Sequence, residues 1–289
     1  MKLIFCLHGR LGNHFFILSA LLYAIKKYNI QCYLYIHDYV YEMHCRWSDL
    51  GLKYVFDNFN ENIIYELPNS TVDKYQYYVN GELDLDKLIK ENINTNNIIV
   101  LDEEYFQDKK FFLEYKSDIQ KIFSIENNYK DIIDNNDVFI SVRRGDFITA
   151  KFYVLNEDYY IDAYNKYFSN KNIYISCDDI EWCKENLTIN RFNNCKNITY
   201  IENYKPLEIV SIAKWFSNYI CANSTFSWMC SLMSINDNAN VITVPTVCNC
   251  LSRNGIIKDN DIFYDLFLTE NKKYIDTINN SENAVHDVH

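Results

Sequence analysis

The feature that most constrains this chain is a regular alternation in its second half. Five short apolar runs, at residues 138–142, 173–176, 198–201, 219–222 and 241–244, are separated by segments of helical spacing that begin near Glu157, Ile180, Leu207 and Phe226. Runs of four or five apolar residues suit strands covered on both faces. Strands that alternate with helices are joined by crossovers, so this half is predicted to be a parallel, doubly wound sheet of the α/β class. Pro206 stands where a first-turn proline belongs.

The first half opens in the same way. Residues 2–7 read as a short buried strand, followed by the glycine loop at residues 8–13 (HGRLGN) and a helix. Asn13 is the expected N-cap, and Phe15, Leu18, Leu22 and Ile25 fall on one helical face. Such a unit carries backbone N–H groups toward a crevice. Gly9 and Gly12 do not fit G-x-G-x-x-G, so no dinucleotide fingerprint is present. Residues 31–36 and 98–101 read as further strands, and residues 84–90 and 111–123 as helices. The Asn- and Asp-rich run at 124–137 is the expected linker. Two α/β domains result, at residues 1–130 and 131–289, with a polar tail from Glu270 that is peripheral or packs back on the first.

Charge narrows the partners. A net charge of −11 over 289 residues is the opposite of the basic field that neutralises phosphates, so no nucleic acid is expected and an anionic membrane surface is disfavoured. Any anion must be captured by a local cluster. The ten cysteines include no C-x-x-C and the six histidines no ligand pair, so no metal or cofactor is expected and the cysteines read as free thiols of a reducing compartment. The apolar N-terminus is interrupted at residues 8–14, with Arg10 inside. No run reaches the roughly 18 apolar residues of a membrane span. The expectation is a cytoplasmic protein with no signal peptide and no stable membrane insertion.

Three strand ends in the second half carry chemistry, because ligands of open α/β sheets bind at the carboxyl ends of strands. The run 138–142 ends in Arg143, Arg144, Gly145 and Asp146, which offers cations to an anion or a salt bridge within the loop. Asp178 and Asp179 follow the second strand, where they can accept hydrogen bonds from an N–H-rich base such as guanine, or cap the next helix. Ser224, Thr225, Phe226 and Ser227 open another helix, with N–H and O–H donors for a phosphate. Together they are what a nucleotide diphosphate requires.

The glycine loop, the RRGD motif, the Asp-Asp-x-x-Trp stretch and the S-T-F-S-W helix start occur in the order and at the separations of the α-1,2-fucosyltransferases. From about residue 3 to 244 the chain resembles that family, glycosyltransferase family 11, within the wider GDP-fucose fucosyltransferases. The resemblance implies a GT-B fold, two Rossmann-like domains facing across a cleft. It also implies inverting, metal-independent transfer of L-fucose from GDP-β-L-fucose to a glycan acceptor, at galactose O2. Arg143 carries over as the main diphosphate contact, offsetting charge on the leaving group. Arg144 is read as bracing the loop through Asp146, which is also the nearest carboxylate for a catalytic base. Ser224, Thr225, Phe226 and Ser227 line the phosphate and fucose, and Asp178 or Asp179 meets the guanine. Gly9, Gly12, Asn13 and His14 close the cleft near the acceptor.

The chain departs from the family pattern at four places. Ser141 stands where the family has a histidine, His14 replaces a glutamine, Cys177 a serine, and Met229 with Cys230 a Trp-Gly pair. Ser141 keeps open a GT-B enzyme with another nucleotide-sugar donor. A non-catalytic glycan-binding relative is the reading from a different class.

Overall fold

The computed structural model describes residues 1–38, 40, 52–66, 74–75, 83–102, 105–125, 133–149 and 154–243. They fall into two compact units, the first running from Met1 to Ser124 and the second opening at Ile125.

In the first unit β1 (Lys2–Leu7), β2 (Gln31–Ile36), β3 (Ile63–Ile64), β4 (Lys74–Tyr75) and β5 (Ile98–Leu101) pair in parallel, in the order β3-β2-β1-β5-β4. β1 is central, and its residues 3–7 are buried. The chain steps from β1 outward to β2 and β3, then returns to the other side for β5. The order of connection therefore reverses between β1 and β5, the place where such sheets open a ligand crevice at their carboxyl ends. The helix Leu11–Tyr28 follows β1 and buries Phe15, Phe16, Leu18 and Leu21, so it is apolar around most of its circumference. It ends at Asn29, whose φ of 51° breaks the helical path.

Two expectations for this unit are corrected. The first helix begins before Asn13: Arg10 is its N-cap and makes no side-chain cap bond, so Asn13 lies inside the first turn. The helix expected at 111–123 is two, Lys109–Leu113 and Lys116–Ile122. The Asp108 side chain caps the first by accepting from the Lys110 N–H at 2.8 Å. The break at Tyr115 turns Phe111 and Phe112, and then Ile119 and Ile122, into the same core. The helix Lys53–Phe59 and the two-residue strands β3 and β4 had no readable period.

The second unit repeats the plan. β6 (Val138–Val142), β7 (Ile173–Cys177), β8 (Ile198–Tyr200), β9 (Asn218–Cys221) and β10 (Asn240–Ile242) are parallel, in the order β10-β9-β6-β7-β8. Its helices, Glu157–Tyr167, Ile180–Asn186, Pro206–Ala213 and Thr225–Leu232, open within a residue of where the sequence places them. β6 is buried along its whole length because both faces are covered. Val138, Ile140 and Val142 share one core with Tyr159, Tyr160 and Tyr164, while Phe139 meets Phe216 on the opposite face with ring centres 5.5 Å apart. Connections reverse between β6 and β9, which makes the carboxyl ends of those strands this sheet's switch point.

Of the expected linker, residues 126–132 lie outside the described residues, as do Val244 and the tail from Glu270; Ile133 and Asp137 are buried. No described helix is long and apolar enough to cross a membrane.

Candidate functional site

The central strand of the second sheet delivers both arginines to the switch point, and they part there. Arg143 is one-fifth exposed and forms ion pairs with Asp146, at 2.5 Å, and with Asp178, at 2.9 Å. Its guanidinium lies 5.5 Å from the centre of the Phe147 ring. Arg144 is almost fully buried. Its guanidinium stacks 3.8 Å from the Trp182 ring centre, and its Nε meets Asp179 at 3.4 Å. Its backbone N–H donates to Asp178 at 2.8 Å. The expectation that Asp146 braces Arg144 is therefore corrected: a short helix, Gly145–Thr149, starts at once after the arginines, and its i,i+3 geometry turns Asp146 onto Arg143.

Asp178 and Asp179 are thus occupied in holding this loop. Asp178 bridges the Arg143 side chain and the Arg144 backbone, while Asp179 caps the helix Ile180–Asn186 through the Trp182 N–H at 3.3 Å. Among the described residues, three carboxylates against two guanidiniums leave the cluster with an excess of negative charge.

On the other side of β6, Ser224 is the N-cap of the helix Thr225–Leu232, accepting from the Phe226 N–H at 3.3 Å. Thr225 and Phe226 are half-buried at the start of this helix. Ser227 is turned away: its hydroxyl is buried 2.7 Å from that of Ser141 on β6. The structure therefore brings Arg143, Ser224 and Asp178 to the ends of three neighbouring strands and leaves Ser227 beneath them. The Cys177 thiol at the end of β7 is held below its ordinary pKa, chiefly by a hydrogen bond from Cys183.

In the first unit the glycine loop has its own geometry. Gly9 has φ +74°, and a Cβ there would stand 2.3 Å from the Asn13 carboxamide, so only glycine fits. Asn13 faces the Gln107 carboxamide at 3.5 Å. Gly12 is buried in the helix, and His14 is fully buried with its Nδ1 2.7 Å from the Tyr54 hydroxyl. Both are packed inward.

Sequence reasoning missed several residues. Tyr160 is fully buried behind the arginine loop, with Arg143, Arg144 and Asp178 among its neighbours, and burial pushes its phenol up. Asp102, Tyr105 and Gln107 follow β5 in the first unit. The rule that strand ends border the ligand, applied only to the second half, would have found them.

The sequence model for glycosyl transferase family 11 matches residues 69–258. The alpha-1,2-colitosyltransferase of Escherichia coli is 33% identical to this chain over 141 residues, 43% of the chain and 48% of that protein. The chain thus spans about half the length of this curated relative. Among solved structures, a family 9 glycosyl transferase from Veillonella parvula has a TM-score of 0.39 at 8% identity, covering 84% of this chain and 79% of its own. POFUT1 in complex with GDP has a TM-score of 0.37 at 10% identity, covering 82% of this chain and 95% of its own.

Proposed function

This chain belongs to glycosyl transferase family 11, and on that premise we propose that it moves L-fucose from GDP-β-L-fucose to galactose O2 of a glycan acceptor, with inversion and without a metal. The observation that carries the reading is Arg143, a partly exposed guanidinium at the end of the central strand, with Ser224 at the end of one neighbouring strand and Asp178 at the other. In this reading the bond from fucose C1 to the diphosphate oxygen breaks with its electron pair leaving on GDP, and Arg143 offsets the charge that develops. The acceptor oxygen bonds to C1, and its proton passes to a phosphate oxygen of the departing GDP. Asp146 then serves to orient Arg143. Ser224 and Thr225 supply phosphate donors at the helix start, Phe226 borders the fucose, and Asp179 or a released Asp178 accepts from guanine.

A second reading keeps the mechanism and changes the sugar. It is favoured by the colitosyltransferase relative and by Ser141, whose hydroxyl is turned onto Ser227. Calorimetry with GDP and UDP tests the nucleotide. Incubation with GDP-fucose and an array of galactose-terminated oligosaccharides tests sugar and linkage through product mass and bond position. A preference for UDP, or no transfer from GDP-fucose, overturns the first reading.

A further inference from the structure

Two cysteines flank the acids that hold the arginine loop. Cys177 is the last residue of β7 and is partly exposed, and Cys183 stands fully buried in the helix Ile180–Asn186 that follows. The Cys183 N–H donates to the Asp179 carbonyl at 3.2 Å, which closes the first turn of that helix, and Cys177 packs against the core to which Cys183 belongs. There the Cys183 thiol donates to the Cys177 sulfur, which also accepts from the Asp179 backbone N–H. Two donors converge on one sulfur. Among the other described cysteines, Cys6, Cys32, Cys221 and Cys230 are buried, and the Cys195 thiol is turned onto the Asn197 carbonyl at 3.3 Å.

We propose that Cys177 and Cys183 form a reversible redox site, a dithiol that closes into an intramolecular disulfide by exchange with a low-molecular disulfide such as oxidised glutathione. The Cys177 thiolate attacks one sulfur of oxidised glutathione, a bond forms between them, and the first glutathione leaves as its thiolate. Cys183 gives its proton to that thiolate and attacks the Cys177 sulfur, and the second glutathione leaves with the electron pair of the broken bond. Two cysteines are oxidised and one disulfide is reduced to two thiols. The positions assign the roles: the partly exposed sulfur meets the oxidant, and the buried one resolves the mixed disulfide from within the fold. The electrostatics agree. The Cys177 thiol is held below its ordinary pKa chiefly by the Cys183 hydrogen bond, against burial and the charges of Asp178 and Asp179; that same bond and burial push Cys183 up, with Arg144 opposing. The ring closed by the new bond contains Asp178 and Asp179, whose carboxylates hold Arg143 and Arg144, so the covalent state of the pair is built into the arginine loop.

Residues 172–184 form one tryptic peptide that contains both cysteines and no others. The folded full chain is incubated with oxidised glutathione, its remaining thiols are alkylated in denaturant, and the digest is read by mass spectrometry. The wild-type peptide is expected to be unalkylated and two hydrogens lighter than the dithiol, and dithiothreitol before alkylation is expected to return it to the doubly alkylated form. Cys183→Ala is expected to stop the exchange one step earlier, with glutathione retained on Cys177. Cys177→Ser is expected to lower glutathione incorporation into this peptide about tenfold relative to Cys183→Ala, because the attacking sulfur is gone. Circular dichroism shows whether each variant folds, and the wild-type measurement decides without either. A wild-type peptide that stays doubly alkylated, a bond from either cysteine to a third one, or glutathione on Cys183 in preference to Cys177 overturns the proposal.

Discussion

The Arg143 guanidinium lies 2.9 Å from the Asp178 carboxylate, and the chain between its strand and the next helix is shaped to permit it. A Cβ on Gly145 would come within 2.9 Å of that same Asp178 oxygen. The glycine of the RRGD motif is thus explained by the close approach of a carboxylate from the neighbouring strand end. The contact holds Arg143 in place while leaving its side chain one-fifth exposed.

Arg143→Ala is expected to abolish transfer while leaving the fold intact. Removing a group that stabilises leaving-group charge costs about 10²–10³ in kcat. Initial rates with GDP-fucose, set beside the circular dichroism of the variant, check it, and near-normal activity in a folded variant would refute the donor-site assignment.

Asp146→Asn separates an orienting carboxylate from a catalytic base. The ion pair with Asp178 remains and the excess negative charge of the cluster falls, so GDP is expected to bind at least as tightly as to wild type, with transfer within about tenfold. A loss of activity like that of Arg143→Ala, with GDP binding unchanged, would make Asp146 the base.

Trp182→Ala removes the face on which the buried Arg144 guanidinium rests. Lost packing and lost cation–π attraction together are expected to lower stability by about 2–3 kcal/mol, read by urea unfolding.

Ser141 and Ser227 form a buried hydroxyl pair at 2.7 Å. Either serine changed to alanine leaves the other hydroxyl without its partner, at about 1–2 kcal/mol, whereas the double alanine variant loses less than the two single losses combined. Additive losses in the double-mutant cycle would show that the pair is not coupled.

His8 gives a signed pH dependence. Burial lowers its folded pKa from 6.5, with Asp102 opposing in part. The unfolded chain then binds the proton more readily, so stability is full above about pH 6.5 and declines as pH falls through the window down to the folded pKa. His8→Gln is expected to flatten this part of the profile relative to wild type; identical slopes would contradict it.

The repeating strands of the second half, the buried β6 and the placement of Arg143 and Ser224 at strand ends were legible in the sequence. Apolar period and first-turn residues are local properties that need no partner to be read. Elements two residues long were not legible, because β3 and β4 exist only through pairing with their neighbours.

What the sequence determined by itself is that cations, acids and hydroxyls stand at the ends of parallel strands. Only the tertiary structure decided which of them meet. Asp146 turned to Arg143 because a helix starts between them, Arg144 went inward because Trp182 was there to receive it, and Ser227 faced Ser141 because its helix packs over β6. Strand order is a property of non-local pairing. It alone placed the connection reversals beside Arg143 in one unit and beside His8 and Tyr105 in the other.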